Sequence, residues 1–218
     1  AAVTTNLKVG TGIALVTERD PILMAKQVAT LDHISNGRLI LGVGAGWNAE
    51  EMENHGTPFA SRWKVLRERI LAMKALWTDE AAEFHGDYVD FDPLWSYPKP
   101  KQAGGPPILL GAASKYMHKR IAEYCDGWFP IYQDEARAAA AGATDYSESM
   151  RLTREAWDSA GRSGSPNSTI FGVGHDPAAV ERCLAHGFDR IVFALPPAGA
   201  DEVLPMIERY AALKKQFD

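Results

Sequence analysis

The chain has few cysteines, no long apolar run and no excess of positive charge. Its 218 residues include two cysteines, Cys125 and Cys183, which lie far apart and have no other cysteine or histidine at metal-ligand spacing. These observations exclude a disulfide framework and a zinc knuckle. We therefore expect two buried thiols in a reducing compartment.

Charge and hydropathy exclude two further classes of protein. The formal net charge is −5, from 23 Lys and Arg against 28 Asp and Glu, whereas a nucleic-acid-binding protein needs a basic face. No apolar run reaches the roughly 18 residues of a membrane-spanning helix, and no basic segment followed by an apolar one suggests a signal peptide. We therefore expect a cytoplasmic, enzyme-sized protein that binds neither nucleic acid nor a membrane.

Motifs of several common enzyme classes are also missing from the sequence. No His-x-x-x-His pair or carboxylate cluster predicts a metal site, and the sequence has no Ser-His-Asp order with a nucleophile elbow. The segment 42–47 lacks the last glycine of the dinucleotide-binding pattern Gly-x-Gly-x-x-Gly. The sequence therefore predicts no metal, and it leaves the catalytic residue unknown.

The chain does contain a regular alternation of apolar runs and helical segments. Asp20 is a helix N-cap and Pro21 occupies the first helical position. Apolar runs that do not alternate with polar residues indicate parallel strands covered on both faces, and no antiparallel hairpin signature is evident. We predict six such strands, each followed by a helix, with an alanine run at 138–141 in one of the helices; the strands lie at 7–16, 39–43, 108–110, 127–131, 169–173 and 190–195.

This order fits a doubly wound open sheet or a (β/α)8 barrel. Six strands are two fewer than a barrel has, and a typical barrel takes roughly 250 residues. We therefore expect one α/β domain of the (β/α)8 TIM-barrel type over 1–218, lacking its first two βα units, which would precede Ala1. Residues 83–107 are rich in aromatics and prolines and are expected to form a lid-like insertion loop, or a packed loop over the barrel mouth.

Small residues follow three of the predicted strands. They let a ligand approach the backbone closely, and a helix N-terminus that follows can bind an anion. Tight turns alone need the same residue types, so both interpretations stay open. The segments are Gly10-Thr11-Gly12, Gly44-Ala45-Gly46 and Gly111-Ala112-Ala113-Ser114.

The sequence resembles the luciferase-like monooxygenase family, the flavin- and coenzyme F420-dependent (β/α)8 barrels. The resemblance is strongest over 7–56 and extends along nearly the whole chain. Its motif residues are Leu31-Asp32, Ser35, Gly37-Arg38, Leu41-Gly42-x-Gly44-x-Gly46-Trp47 and Glu51, followed by Gly86-Asp87-Tyr88, Pro98-x-Pro100, Pro106-Pro107-Ile108 and Asp126-Gly127-Trp128.

The resemblance implies a cofactor site made of three segments. The first segment would form a bulge behind the cofactor ring, often with a non-proline cis peptide. The second segment would line the cofactor. The third segment would hold the cofactor's phosphate, with Ser114 providing a hydroxyl and the helix cap and Lys115 providing a positive charge. The residues are Thr11, Gly12 and Ile13; then Gly44, Ala45, Gly46 and Trp47; then Gly111, Ala112, Ala113, Ser114 and Lys115.

The sequence departs from the family pattern at two positions of this site. Bacterial luciferases place a phosphate-binding arginine near Ala45, and some F420-dependent dehydrogenases place a catalytic glutamate near Trp47. We therefore expect Trp47 to form a wall for the ring or the substrate. The acid–base residue of the family commonly lies on the second strand, which would precede Ala1.

The resemblance further implies an oxidoreductase that transfers a hydride between coenzyme F420 and a small organic substrate. FMN is the alternative cofactor and would make the reaction a monooxygenation; Trp47 favours F420. Family members are often homodimers, and we expect one here. Two other functions stay open: a phosphate-binding barrel isomerase or lyase acting on a sugar phosphate, and a family relative that binds the cofactor without catalysis.

Overall fold

A parallel sheet flanked by helices organises the computed structural model of this chain, which describes residues 1–134 and 145–217. The predicted helix with alanines at 138–141 lies outside the described residues. The strands are β1 (Val9–Gly10), β2 (Ala14–Leu15), β3 (Leu39–Gly44), β4 (Ala82–His85), β5 (Asp90–Leu94), β6 (Ile108–Leu110), β7 (Gly127–Trp128), β8 (Asn167–Val173) and β9 (Arg190–Phe193). The helices are α1 (Pro21–Ile34), α2 (Ala49–Asn54), α3 (Arg62–Thr78), α4 (Met117–Tyr124), α5 (Tyr146–Ser159), α6 (Pro177–Ala185) and α7 (Ala200–Lys214), with short 3-10 helices at Val16–Glu18 and Phe59–Ser61.

Strands of the large sheet follow one another in chain order, which favours a barrel over a doubly wound sheet. The order is β1–β3–β6–β7–β8–β9, every pairing is parallel, and β2 also pairs with β3. A doubly wound sheet reverses its strand order at a switch point, and the described sheet has no such reversal. The predicted α/β class is confirmed, and the sheet curls as part of a barrel.

The first sheet position is interrupted, so the predicted continuous strand over 7–16 is wrong. Val9 pairs with Leu39 in β1 and Ala14 pairs with Val43 in β2. Between them the chain leaves the ladder, and the Thr11 hydroxyl donates to the carbonyl of Gly42 at 2.7 Å. This break creates a bulge over Thr11, Gly12 and Ile13.

An antiparallel hairpin, which the sequence analysis did not predict, occupies part of the segment 83–107. Strands β4 and β5 pair Phe84 with Phe91. The hairpin turn rests on α3, where the Glu68 carboxylate accepts from the backbone N–H of Tyr88 at 2.6 Å and of Val89 at 3.0 Å. The hairpin has no marked sequence signal, because the aromatics and prolines of this segment are equally typical of an irregular loop.

The rest of this segment lies at the starting ends of the large sheet's strands. The Gln102 side chain donates to the carbonyl of Leu39 at 2.9 Å, and Lys99 donates to the carbonyl of Leu76 near the end of α3 at 2.9 Å. This part of the predicted lid therefore lies where the strands of the large sheet begin, and the hairpin part packs on α3.

Core packing explains why the predicted strands and helices form. Leu39, Leu41 and Val43 of β3 are buried, and α3 contributes Ile70 and Met73 to the same core. Burying one such side chain stabilises the fold by about 1.5–3 kcal/mol. Helix α1 begins as predicted, since the Asp20 carboxylate accepts from the N–H of Leu23 at 2.7 Å.

Two charged residues of the resemblance motif serve the fold. The fully buried Asp32 carboxylate accepts from the backbone N–H and the side-chain amide of Gln102, each at 2.8 Å. The Arg38 guanidinium donates to the carbonyls of Ala1 at 2.8 Å and Thr4 at 2.9 Å, which ties the first residues to β3.

Over the described ranges, no helix combines the length and the apolarity needed to cross a membrane.

Candidate functional site

A cavity of about 690 Å³ lies at the ends where the parallel strands finish. In barrel folds this is the end at which ligands bind. The volume falls within the range of pockets that hold small molecules and cofactors. Its described lining comes from the ends of consecutive sheet positions and from one helix, and comprises Gly12, Ile13, Leu15, Gly44–Trp47, Trp63, Gly111–Ser114, Phe129–Gln133 and Phe171.

The bulge of the first sheet position forms one side of the cavity. The Gly12–Ile13 peptide is cis, as the resemblance implied for this position. A Cβ on Gly44 would lie 2.1 Å from Cδ1 of Ile13, and one on Gly111 would lie 3.0 Å from its Cγ2. A side chain at Gly44 or Gly111 would therefore compete with Ile13 for the same space, and the Ile13 side chain would have to shift.

Side chains behind the cavity hold its backbone turns in place. The Thr17 hydroxyl donates to the carbonyl of Ala45 at 3.2 Å, and the buried Trp128 indole donates to the carbonyl of Ala112 at 2.8 Å. The Tyr146 hydroxyl, at the start of α5, accepts from the N–H of Gln133 at 2.8 Å. Because these contacts join separate elements, the strand ends form a preformed site.

Ten of the twelve predicted cofactor residues line the cavity, and two do not. The hydroxyl of Thr11 is engaged by the Gly42 carbonyl. The ammonium of Lys115 lies 5.0 Å from the ring centroid of Tyr116, and Lys115 borders a separate, smaller cleft instead. The ten are Gly12, Ile13, Gly44, Ala45, Gly46, Trp47, Gly111, Ala112, Ala113 and Ser114.

The predicted helix cap at Ser114 is wrong. Helix α4 begins at Met117 and its N-cap is Tyr116, with no side-chain cap hydrogen bond. The Ser114 carbonyl accepts from the N–H of Met117 in a turn that precedes the helix, and its hydroxyl accepts from Arg120 at 3.2 Å. The cap was misplaced because serine favours such turns as well as caps.

Aromatic walls of the cavity were not predicted from the sequence. Phe129 and Phe171 meet edge to face, with ring centroids 6.2 Å apart. Phe129 lies within the predicted strand 127–131 and follows the observed β7, so the convergence of strand ends in a barrel could have identified it. Trp63 enters from the first turn of α3, and no local sequence signal marks it as a site residue.

The described lining is mostly apolar, and its side chains include no carboxylate, ammonium or guanidinium. Its polar side chains are those of Ser114, Tyr132 and Gln133, together with the indole N–H groups of Trp47 and Trp63. Such flat apolar walls suit a planar ring system. Among these side chains the Tyr132 phenol is the single group that can act as an acid or base, and no carboxylate or imidazole accompanies it in the described lining.

Metal and thiol chemistry have no support in the described part of the chain. The described histidines, cysteines and carboxylates form no group of three that could hold a metal ion. Cys125 and Cys183 are buried free thiols, as predicted. Burial raises the pKa of Cys183 to about 11 and that of Cys125 further, which makes both poor nucleophiles.

Comparison with known proteins places the chain in one family. The sequence model of the luciferase-like monooxygenase family matches residues 1–182. An uncharacterized protein of Mycobacterium tuberculosis (strain H37Rv) is 38% identical over 212 residues, which are 97% of this chain and 72% of the relative.

Two further relatives have stated activities and different cofactors. The F420-dependent glucose-6-phosphate dehydrogenase of Amycolatopsis mediterranei is 30% identical over 166 residues, covering 68% of this chain and 50% of that protein. The FMNH(2)-dependent dimethylsulfone monooxygenase of Pseudomonas putida is 34% identical over 112 residues, covering 50% of this chain and 31% of that protein.

Solved structures share the fold. The monooxygenase RslO1 of Streptomyces bottropensis matches with a TM-score of 0.83 at 17% identity, over 99% of this chain and 80% of that one. The coenzyme F420-dependent tetrahydromethanopterin reductase of Methanopyrus kandleri matches with a TM-score of 0.74 at 18% identity, over 94% and 84%. These matches confirm the predicted barrel-type fold.

Proposed function

Because this chain belongs to the luciferase-like monooxygenase family, we propose that it is an oxidoreductase that holds a deazaflavin or flavin ring in the cavity at its strand ends. The cofactor would supply hydride chemistry toward a small organic substrate. Coenzyme F420 is the proposed cofactor and FMN the alternative, since relatives with stated activities use one or the other.

One observation carries the proposal: three separate segments of small residues meet around a single apolar cavity. Gly12 and Ile13, the turn 44–47 and the turn 111–114 all border it. Their residues suit a flat ring, because Ile13 presents an apolar surface, and the glycines allow close approach to the backbone. The Ser114 hydroxyl is a suitable partner for a phosphate ester on the same ligand.

The protein's own contribution would be to bind and orient the cofactor and the substrate, and to exclude water from the cavity. Ile13 and Phe129 would pack against the ring, and Trp47 would cover the mouth, where its side chain is 84% exposed. A large exposed indole beside an apolar cavity gains buried area when a ligand enters. Trp47 is thus proposed as a wall of the site rather than as an acid or base.

Titration of the protein with F420 and, separately, with FMN tests the proposal. Two tryptophans of the cavity wall, Trp47 and Trp63, would be quenched by a bound ring. We expect saturable quenching at micromolar F420 and weaker quenching by FMN. Quenching by FMN alone would overturn the F420 assignment and support the monooxygenase branch, with oxygen uptake as the next assay.

A matched control separates true binding from optical absorption by the ligand. Trp95 is 77% exposed, follows the last strand of the hairpin and does not line the cavity. The variant Trp95→Phe should therefore keep the quenching, whereas Trp47→Phe should reduce its amplitude. If neither cofactor binds, the oxidoreductase proposal fails, and the sugar-phosphate isomerase or lyase becomes the better hypothesis.

A further inference from the structure

We propose that the Tyr132 phenol is the catalytic acid of this cavity, held in position by the Arg182 guanidinium. The substrate would be an apolar aldehyde or ketone or, in the reverse direction, the corresponding alcohol. The hydride transfer rests on the proposed function, whereas the position of the phenol rests on the contacts described below.

The backbone of Tyr132 is fixed where the chain continues from β7 toward the cavity. Ile131 forms an isolated parallel bridge with Phe171. The N–H of Tyr132 donates to the Phe171 carbonyl at 2.7 Å, and the N–H of Phe171 donates to the carbonyl of Pro130 at 3.0 Å. Tyr132 and Phe171 both line the cavity. The phenol is therefore carried by a hydrogen-bonded strand end, and a group on such a rigid element can be positioned for catalysis.

The Tyr132 hydroxyl contacts a cation. Arg182, on α6, donates from Nη2 to this hydroxyl oxygen at 3.3 Å. The guanidinium is itself oriented by Asp176, the N-cap of α6, whose carboxylate lies 3.6 Å away. An oxygen that accepts from the guanidinium keeps its own O–H hydrogen for a second acceptor. The positive charge beside it would stabilise the phenolate that remains once that hydrogen has left as a proton.

The residues that lead to Tyr132 form an apolar wall. Phe129, Pro130 and Ile131 immediately precede it and line the same cavity. The Ile131 side chain is 63% exposed, so a hydrocarbon group that covers it removes apolar surface from water. This strand end thus offers a hydrogen-bond donor within an apolar wall, which suits a carbonyl oxygen on an apolar frame.

Hydride and proton transfer balance at the two atoms of the carbonyl group. The carbonyl carbon accepts a hydride from the reduced cofactor, and the electron pair of the C=O π bond moves to the oxygen. That oxygen takes the phenol proton, which gives the alcohol, the oxidised cofactor and a phenolate, and water then returns a proton to the phenolate. In the reverse direction the phenolate takes the hydroxyl proton of the alcohol while its carbon loses a hydride to the oxidised cofactor.

A binding test compares two ligands that differ at the oxygen. Acetophenone carries a carbonyl, and ethylbenzene has a methylene in its place. Each is titrated by calorimetry into the protein saturated with the oxidised cofactor. We expect Tyr132→Phe to weaken acetophenone about three- to tenfold, the usual value of one hydrogen bond, and to leave ethylbenzene within about twofold. Tyr88→Phe is the matched control, because Tyr88 lies in the hairpin turn and does not line the cavity.

A kinetic test separates catalysis from binding. Oxidation of the reduced cofactor by acetophenone is followed by absorbance without oxygen. We expect Tyr132→Phe to lower kcat about a hundred- to ten-thousandfold, while KM changes no more than the affinity does. Arg182→Gln should lower kcat about two- to fivefold at unchanged KM, because Arg182 is half exposed and solvent screens its charge. Arg182→Lys keeps a cationic donor and should recover most of that loss, whereas a merely structural role would change KM and the thermal midpoint as well.

Several results would overturn the assignment. These are acetophenone affinity and turnover unchanged by Tyr132→Phe, equal weakening of both ligands, the same losses in Tyr88→Phe, and a wild type that does not reduce acetophenone. Circular dichroism checks that each variant folds. If Tyr132→Phe does not fold, the Arg182 variants decide: a kcat lowered in Arg182→Gln and recovered in Arg182→Lys supports the assignment, and equal kcat in both variants and the wild type overturns it.

Failure of the proposed function gives a different result. If neither F420 nor FMN binds to the wild type, the oxidoreductase proposal fails before any substrate is added. If one of them binds and the acetophenone tests fail, the proposed function stands and only the assignment of Tyr132 falls.

Discussion

Gly42 lies where the bulge of the first sheet position crosses β3. A Cβ at this position would lie 2.1 Å from the Thr11 carbonyl oxygen and 3.0 Å from Cδ1 of Phe129. No real Cβ tolerates the first distance, so either the bulge or β3 would have to move. At the scale of single residues, Gly42 of the resemblance motif is thus required by the neighbouring backbone.

The substitution Gly42→Ala should therefore destabilise the protein. We expect a loss of about 1–3 kcal/mol in the free energy of unfolding, the usual cost of overpacking a buried site. Gly174→Ala is the matched control, because a Cβ there meets open space and its φ is not in the left-handed region. Urea unfolding of both variants measures the difference. Equal urea midpoints would show that the bulge moves to accommodate the added methyl group without a loss of stability.

Helix α3 connects the two ends of the molecule. Its first turn supplies Trp63 to the cavity, its middle supplies Glu68 to the hairpin turn, and the carbonyl of Leu76 near its end accepts from Lys99. The Glu68 carboxylate also accepts from the N–H of Asp87 at 3.2 Å. At the scale of elements, one helix thus connects the cavity, the hairpin and the starting ends of the strands.

Loosening the hairpin should leave the cavity unaffected. In Glu68→Ala the amides of Asp87, Tyr88 and Val89 lose their acceptor, so we expect faster hydrogen exchange there. The cofactor dissociation constant should stay within about twofold, since affinity changes little without a change in contacts. The control is Glu80→Ala, an exposed glutamate just before the hairpin. A large loss of cofactor affinity in Glu68→Ala alone would restore the lid hypothesis.

The whole molecule gathers the ends of its parallel strands at one place. Because neighbouring strands run in the same direction and in chain order, residues such as Ile13, Gly44, Ala112 and Phe129 converge although they are far apart in sequence. A ligand that contacts all of them binds the folded chain and not the unfolded one. Binding must therefore stabilise the fold.

Thermal unfolding should show this coupling. At a cofactor concentration one hundred times the dissociation constant, stabilisation is about 2.7 kcal/mol, which raises the midpoint by roughly 5–10 °C for a domain of this size. Ribose 5-phosphate should produce no comparable shift. A midpoint raised by the sugar phosphate and by neither cofactor would contradict the oxidoreductase proposal.

Local sequence signals predicted the elements that depend on local chemistry. Asp20 and Pro21 start α1 where they were expected, and the runs at 39–43 and 108–110 form buried strands. The hairpin of 82–94 was missed, since its stability depends on α3 as well as on its own strands. The start of α4 was misplaced by three residues, because Ser114 forms a turn before the helix.

The sequence by itself determined that this is an α/β protein of parallel strands, and its motif identified the family, the bulge at Gly12–Ile13 and most of the small residues around the cavity. Only the tertiary structure decided that Trp63 and Phe129 join these residues around one cavity, and that Lys99 and Gln102 lie where the strands begin. The reason is physical. Strand and turn preferences act between neighbours in the chain, whereas the position of a long side chain depends on packing between residues that only the fold brings together.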